Sequence, residues 1–422
     1  MSIERKRLDA AGADTVRRAS TRRFAALLLA QACLLLGSVV LCFAYPLYVL
    51  DETGSASAYG LVGAVSFLPY LAATPLGGVL ADRADCGRIF SVLGMALAAV
   101  TACMPLCRNA FGCVSSTIVL LCTDYAAQAI CKPAVQAAIP ELLGEDQVER
   151  GCAWASQVTM GANILGPFAG AALYGWAGID GAGAVASLGF AFSAIVGTLF
   201  SRAPSCNKER DAKKGQGPDL GLRNAIAFFG AKQTLLLTVL LVALFNLALA
   251  GASLGTPVVV SVHLGASAQW VGLIEGTAGA GGLVGGLMVG MSPYRFNAGH
   301  MGRYILLSTL GVVPVWISLA IGAPAWAACI AYSLGMFWVM LWANIASIEL
   351  IGRVQREAAR GVRGKALSIV HLLLSCTTPI GQMVYGYAYD MATPAVVMAA
   401  MVAAGVLVAL LLGMFERKGA GE

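Results

Sequence analysis

Long apolar runs alternate along this chain with short segments in which the charged residues gather. Residues 24–50 and 391–415 hold no Asp, Glu, Lys or Arg. At about 1.5 Å per residue, each can cross a hydrocarbon core of roughly 30 Å. Lipid offers backbone N–H and C=O groups no partner, so such runs are helices that bond internally. Twelve spans are expected, over 24–50, 59–81, 89–106, 113–138, 151–177, 183–202, 234–258, 269–291, 304–321, 326–350, 366–388 and 391–415. Two divisions fall inside long apolar blocks, at the turn sequences "VHLGASAQ" and "IGAPAW".

The basic residues test that count. With a cytoplasmic N-terminus they should gather in cytoplasmic segments. Of the 28 Lys and Arg, all but Arg108, on an outer loop, and Lys132, inside a span, obey the alternation. The expectation is a multi-pass protein of the plasma (inner) membrane with both termini cytoplasmic. A basic N-terminus (1–23) precedes one six-helix bundle (24–202), a cytoplasmic linker (203–233), a second bundle (234–415) and a short C-terminus (416–422). With 58% hydrophobic and 12% charged residues, a soluble globule lacks polar surface. The net charge of +6 follows from topology and calls for no nucleic acid. The first run is too long for a signal-peptide core and is expected to stay as the first helix. Most of the twelve cysteines fall within spans, where a thiol packs as a small apolar group. No CxxC spacing occurs, so no metal and no cofactor is expected. Cys107 and Cys113 flank an outer turn and read as free thiols, with a disulfide between them as the alternative.

The chain also repeats itself at an offset of 211 residues. "AYPLYVLDETGSASAYGLVG" aligns with "GTPVVVSVHLGASAQWVGLI", which sets Pro46 on Pro257 and Gly54 on Gly265. "GPFAGAALYGWAG" matches "TPIGQMVYGYAYD" with one gap. Each half has an even number of spans, so the halves run parallel, as in transporters that rock two bundles around a central cavity. Within the linker, "DLGLRNAIAFFGAK" reads either as an amphipathic helix on the inner face or as a solvated tether.

One cytoplasmic turn is unusually charged. In "GGVLADRADCGRIF" (77–90), Asp82, Arg83, Asp85 and Arg88 crowd between two uncharged runs. This stretch resembles the signature loop of the major facilitator superfamily, and its spacing resembles the macrolide-efflux type. "KPAVQAAIPELLGEDQVERGCAWASQ", "ILGPFAGAAL" and "NLALAGASLGTP" point to the same subgroup. The resemblance implies twelve transmembrane helices in two parallel six-helix repeats, an all-α fold, and a monomer. It also implies a cytoplasmic latch of Gly78, Asp82, Arg83, Asp85, Arg88 and Glu141. In that latch Asp82 faces the helix start at 366–370 and Arg83 faces Glu141 or Glu145. Cys86 and Gly87 stand where basic residues are usual. "GPFAG" resembles part of a motif of proton-exchanging exporters, although Gly166, Pro167 and Gly170 equally suit a kink and a close-packed patch.

Ionisable groups inside spans cost about 2.5–3.5 kcal/mol each on insertion scales and mark functional sites by default. Asp124 lies about eleven residues into its span, near the midplane, with Gln128 on the same face at i+4. A carboxyl there suits the gain and loss of a proton. Glu275 is either a second proton or cation site or an outer-gate contact, and His371 is either a third titrating group or a packing residue. Lys132 is expected to snorkel to the inner surface. Gln31, Gln128, Asn163, Asn246, Phe337, Trp338, Trp342 and Asn344 either line a substrate cavity or pack between helices. Trp338 and Trp342, at i and i+4, suit a large, partly apolar ligand.

The expected activity is secondary active transport, with protons driving export of a hydrophobic or amphipathic small molecule by alternating access. The alternative is import or facilitated passage of a small neutral metabolite, and a more distant one is a receptor or scaffold on a transporter fold. No Arg lies in the interior of a span, which disfavours strongly anionic substrates. No HExxH, GxSxG or GxxxxGK[ST] occurs, so neither an enzyme nor an ATP-driven pump is expected.

Overall fold

A computed structural model describes residues 2–143, 147–201, 228–230, 232–291, 298–358 and 362–419. The described chain is helical throughout. Its helices are α1 (Ser2–Thr53), α2 (Ala56–Arg83), α3 (Cys86–Ala102), α4 (Met104–Phe111), α5 (Cys113–Leu143) and α6 (Val148–Phe200). They continue with α7 (Gln233–Pro257), α8 (Ala268–Met291), α9 (Met301–Leu310), α10 (Val312–Ala320), α11 (Ala325–Glu357), α12 (Arg363–Met391) and α13 (Pro394–Gly419). Among the described residues, ten stretches are long and apolar enough to cross a membrane, α9 and α10 forming one of them. An eleventh is added if α3 and α4, bent by 53° at Cys103, form one span. The expected twelve is reached only when α6 is divided. Its 53 residues would stretch about 80 Å as one rod, well over twice the core thickness. The break lies at Gly178, whose φ of 67° belongs to the left-handed region that glycine enters without a Cβ clash.

Glycine punctuates the other turns in the same way. Gly54 (φ 64°) and Gly265 (φ 59°) stand 211 residues apart, while Gly112 (φ 81°) and Gly322 (φ 65°) stand 210 apart. The internal repeat is thus visible in backbone geometry. Pro257 ends α7 and hands over to a π-helical turn at Val258–His263; a proline lacks the N–H that regular continuation requires. The "VHLGASAQ" and "IGAPAW" divisions both fall between helices as expected.

Two compact units emerge. The first comprises Met1–Tyr45 and Val65–Cys206, and the second Pro46–Ala64 and Asn207–Glu422. The end of α1 and the start of α2 (46–64) therefore group with the second unit, where the expected boundaries had assigned them to the first bundle. The cause is local. Asp390 at the end of α12 accepts from the backbone N–H groups of Ala56 (2.8 Å) and Ser57 (3.0 Å) and from the Ser55 hydroxyl (3.0 Å). The first N–H groups of a helix have no intrahelical acceptor, and a carboxylate satisfies them.

In the first unit, α1 is packed tightly between α5 and α6. A Cβ on Gly166 would meet Val39 Cγ1 at 2.2 Å, and one on Gly170 would meet Phe43 Cδ1 at 3.0 Å. The i, i+4 glycines of α6 therefore receive the i, i+4 side chains of α1, the close approach small residues allow in lipid. Pro167 lies between them, inside α6.

Candidate functional site

The neighbouring face of α1 carries Ser38 and Cys42, and both reach Asp124 on α5. Ser38 Oγ donates to Asp124 Oδ1 at 2.6 Å, Gln128 Nε2 donates to Oδ2 at 2.7 Å, and Cys42 Sγ lies 3.7 Å from Oδ2. Asp124 is wholly inaccessible to solvent. No Lys or Arg bonds to it among the described residues. Its partners are a hydroxyl, an amide and a thiol, each able to donate or accept as its rotor or amide orientation changes. The carboxyl can therefore lose or gain a proton without orphaning a neighbour. Buried polar groups are costly only when left unpaired, so this arrangement tolerates both states.

Glu275 on α8 is half-buried in the second unit and hydrogen bonds to the Thr256 hydroxyl of α7. The Thr256 hydroxyl also lies 3.2 Å from the Ala252 carbonyl. Tyr332 belongs to the same cluster, fully buried, bonding Thr256 and lying 3.4 Å from the Ala252 carbonyl. Tyr389 Oη lies 3.3 Å from the Gly251 carbonyl. Thr256, Tyr332 and Tyr389 were not legible as site residues, because hydroxyls inside apolar runs carry no periodic signal of their own.

The other expected site residues scatter. Gln31 is buried, with Nε2 3.2 Å from Thr159 Oγ1 and 3.4 Å from the Ala155 carbonyl of α6, whereas its Oε1 has no partner among the described residues. Asn163 and His371 are exposed and Asn246 is partly buried. The α11 group divides between two faces. Phe337 and Asn344 face α8, where Asn344 donates to the Gly282 carbonyl and a Cβ on Gly281 would press on the Phe337 carbonyl. Trp338 and Trp342 face α9 instead, with Trp338 Nε1 donating to the Leu307 carbonyl at 2.8 Å and Trp342 stacked 6.1 Å from Tyr304.

Of the expected latch, the side chains of Gly78, Asp82 and Arg83 lie outside the described residues, as do Glu145 and the linker from 202 to 227. Asp85 caps α3 by accepting from the Arg88 backbone N–H at 3.3 Å. Arg88 and Glu141 are exposed. The outer-loop exception Arg108 pairs with Asp180, just past the α6 break. Cys107 and Cys113 are free thiols.

Lys132 does not extend towards the end of α5. Its Nζ lies 3.4 Å from Tyr70 Oη and 5.2 Å from the centre of that ring. Helical side chains lean towards the helix N-terminus. The reach that snorkelling needs here runs against that lean.

Residues 27–351 match the Major Facilitator Superfamily. Macrolide efflux protein A of Streptococcus pyogenes is 24% identical over 294 residues, covering 69% of this chain and 70% of that one. Among solved structures, a bacterial homologue of the human lysosomal transporter Spinster superposes with a TM-score of 0.69. It has 16% identity and covers 94% of this chain and 97% of that one. A D-xylose–proton symporter superposes with a TM-score of 0.67, at 15% identity and with 93% and 97% covered. At those identities the structural likeness speaks for the fold alone. A match over most of the length, joined to a multi-pass helical architecture with an internal repeat, establishes that the chain belongs to the major facilitator superfamily of membrane transporters.

Proposed function

We infer that this transporter exports a hydrophobic or amphipathic small molecule in exchange for protons, by alternating access, with Asp124 as the proton-exchanging group. The observation that carries the reading is a solvent-inaccessible carboxyl in a span, hydrogen bonded on both oxygens and joined to no cation among the described residues. A structural acid in lipid is ordinarily paired with a basic residue. Ser38 and Gln128 hold Asp124 in place, and the reversible donors around it let its charge change during a cycle. Similarity to a macrolide efflux protein supports the outward direction and the apolar character of the cargo. Glu275, with Thr256 and Tyr332, serves as a second polar station in the other unit.

The test is flux in proteoliposomes with an imposed pH gradient, loaded with erythromycin or a lipophilic dye. Wild type should move substrate against its gradient and acidify or alkalinise the lumen in step. Asp124→Asn should lower both about tenfold or more while still binding substrate. Substrate movement that ignores the gradient and the substitution alike would overturn proton coupling and favour passive facilitation.

A further inference from the structure

Lys132 is the feature the proton reading does not use. Its helix, α5, runs alongside α2 in the same direction: Gly77 lies against Ala129, and Val65 accepts a weak contact from Cys122. A Cβ on Gly77 would stand 2.4 Å from the Ala129 carbonyl, so the glycine sets how closely the two helices approach. Tyr70 lies halfway along α2, roughly 20 Å from either end by helix rise. The ammonium that reaches it is therefore at the depth of the membrane interior.

The surroundings are aromatic. Phe67 stacks on Tyr70 with centroids 5.1 Å apart, and Tyr125 meets the edge of Phe67 at 5.5 Å. Tyr125 in turn hydrogen bonds Cys42, a partner of Asp124. No carboxylate pairs with Lys132 among the described residues, and the side chain is exposed. A phenol oxygen and a ring face offset part of the cost of a charge in an apolar setting, but neither neutralises it. An exposed, unneutralised cation on an aromatic wall calls for a negative group attached to a flat apolar body.

We propose that Lys132, Tyr70, Phe67 and Tyr125 form a subsite for the carboxylate end of an amphipathic, preferably aromatic, organic acid. The ammonium and the Tyr70 hydroxyl take the carboxylate, and Phe67 and Tyr125 take the apolar body. This rests on the transport reading for its meaning, since it adds singly charged amphipathic acids to the exported class. The sequence disfavoured strongly anionic cargo for lack of arginine in the spans; one lysine on an aromatic wall suits one negative charge.

The experiment is calorimetric titration of the purified full-length protein in nanodiscs with 2-naphthoate and with its neutral counterpart 2-naphthamide. Wild type and Lys132→Arg should bind naphthoate, and Lys132→Gln should bind it at least about tenfold more weakly, as expected for loss of a charged hydrogen bond. Tyr70→Phe should weaken it about twofold to fivefold, and naphthamide should bind all four proteins alike. Absence of naphthoate binding to wild type would overturn the subsite, as would undiminished affinity in Lys132→Gln. Equal loss for the neutral amide would also overturn it, because the lysine would then be shaping the fold. Lys132→Arg shows that the position tolerates substitution. Because titration reads binding alone, its failure is distinct from a failure of proton coupling, which the Asp124→Asn flux reports separately.

Discussion

The acid of the first unit and the acid of the second are held in different ways. Asp124 has donors on both oxygens and no solvent exposure. Glu275 is half-buried and shares Thr256, whose single proton also faces the Ala252 carbonyl. One hydroxyl proton cannot serve both acceptors. Thr256 therefore accepts from a protonated Glu275 while it bonds Ala252, or donates to an ionised Glu275 and leaves Ala252 to other donors. A proton gained or lost at Asp124 would leave its donors in place, whereas one at Glu275 would redistribute the proton of Thr256. The difference teaches that two acids in spans of matching halves need not share a task. It also identifies Asp124 as the position where a substitution should tell most.

That contrast can be broken in graded ways. The largest expected effect is on flux: Asp124→Asn should lower gradient-driven transport about tenfold or more, a factor that corresponds to about 1.4 kcal/mol or more. Glu275→Gln, measured in the same vesicles, should leave most of it; equal losses would erase the distinction. Next comes packing. Gly166→Val should push Val39 and displace α1 from Asp124, destabilising the protein by roughly 1–3 kcal/mol in thermal unfolding in detergent. A glycine seam of the second unit, tested by Gly281→Val against the Phe337 carbonyl, should destabilise comparably without lowering proton flux per folded molecule. Ser38→Ala removes one donor from a buried carboxyl and should cost about 1–2 kcal/mol in the same melt. The smallest effect belongs to Asp390→Ala, about 1 kcal/mol for a lost helix cap. Hydrogen exchange should rise there at the Ala56 and Ser57 amides and stay unchanged around Asp124.

Much of the fold was legible because lipid makes length and charge placement decisive. The expected turns "VHLGASAQ" and "IGAPAW" do fall between helices, and the turn glycines Gly54 and Gly265 align by eye. Asp124 and Gln128 were legible as a pair because i, i+4 spacing is local. Ser38 and Cys42 were not, since they join Asp124 across 86 and 82 residues of chain, and a serine in a span looks the same whether it packs or bonds. Trp338 and Trp342 share a face as expected, but periodicity names a face without naming what it meets, and this one meets α9. Asp390, between two expected spans, carried no signal of its own. The "SAS" at residues 55–57 that it caps is an ordinary helix start by composition, and its distant acceptor leaves no mark nearby. Lys132 misled because snorkelling treats a long side chain as free to turn either way, while the helix gives it a lean.

The paired turn glycines have a historical reading. A turn that needs a left-handed backbone accepts little except glycine, so a doubled chain would keep that residue in both copies long after the rest had drifted. Gly54 with Gly265, and Gly112 with Gly322, are what such persistence leaves behind. Asp124 and Glu275 have no acidic counterpart at the repeat offset: Gly335 and Ala64 stand there. The repeat is thus kept at its turns and is not kept at its buried acids.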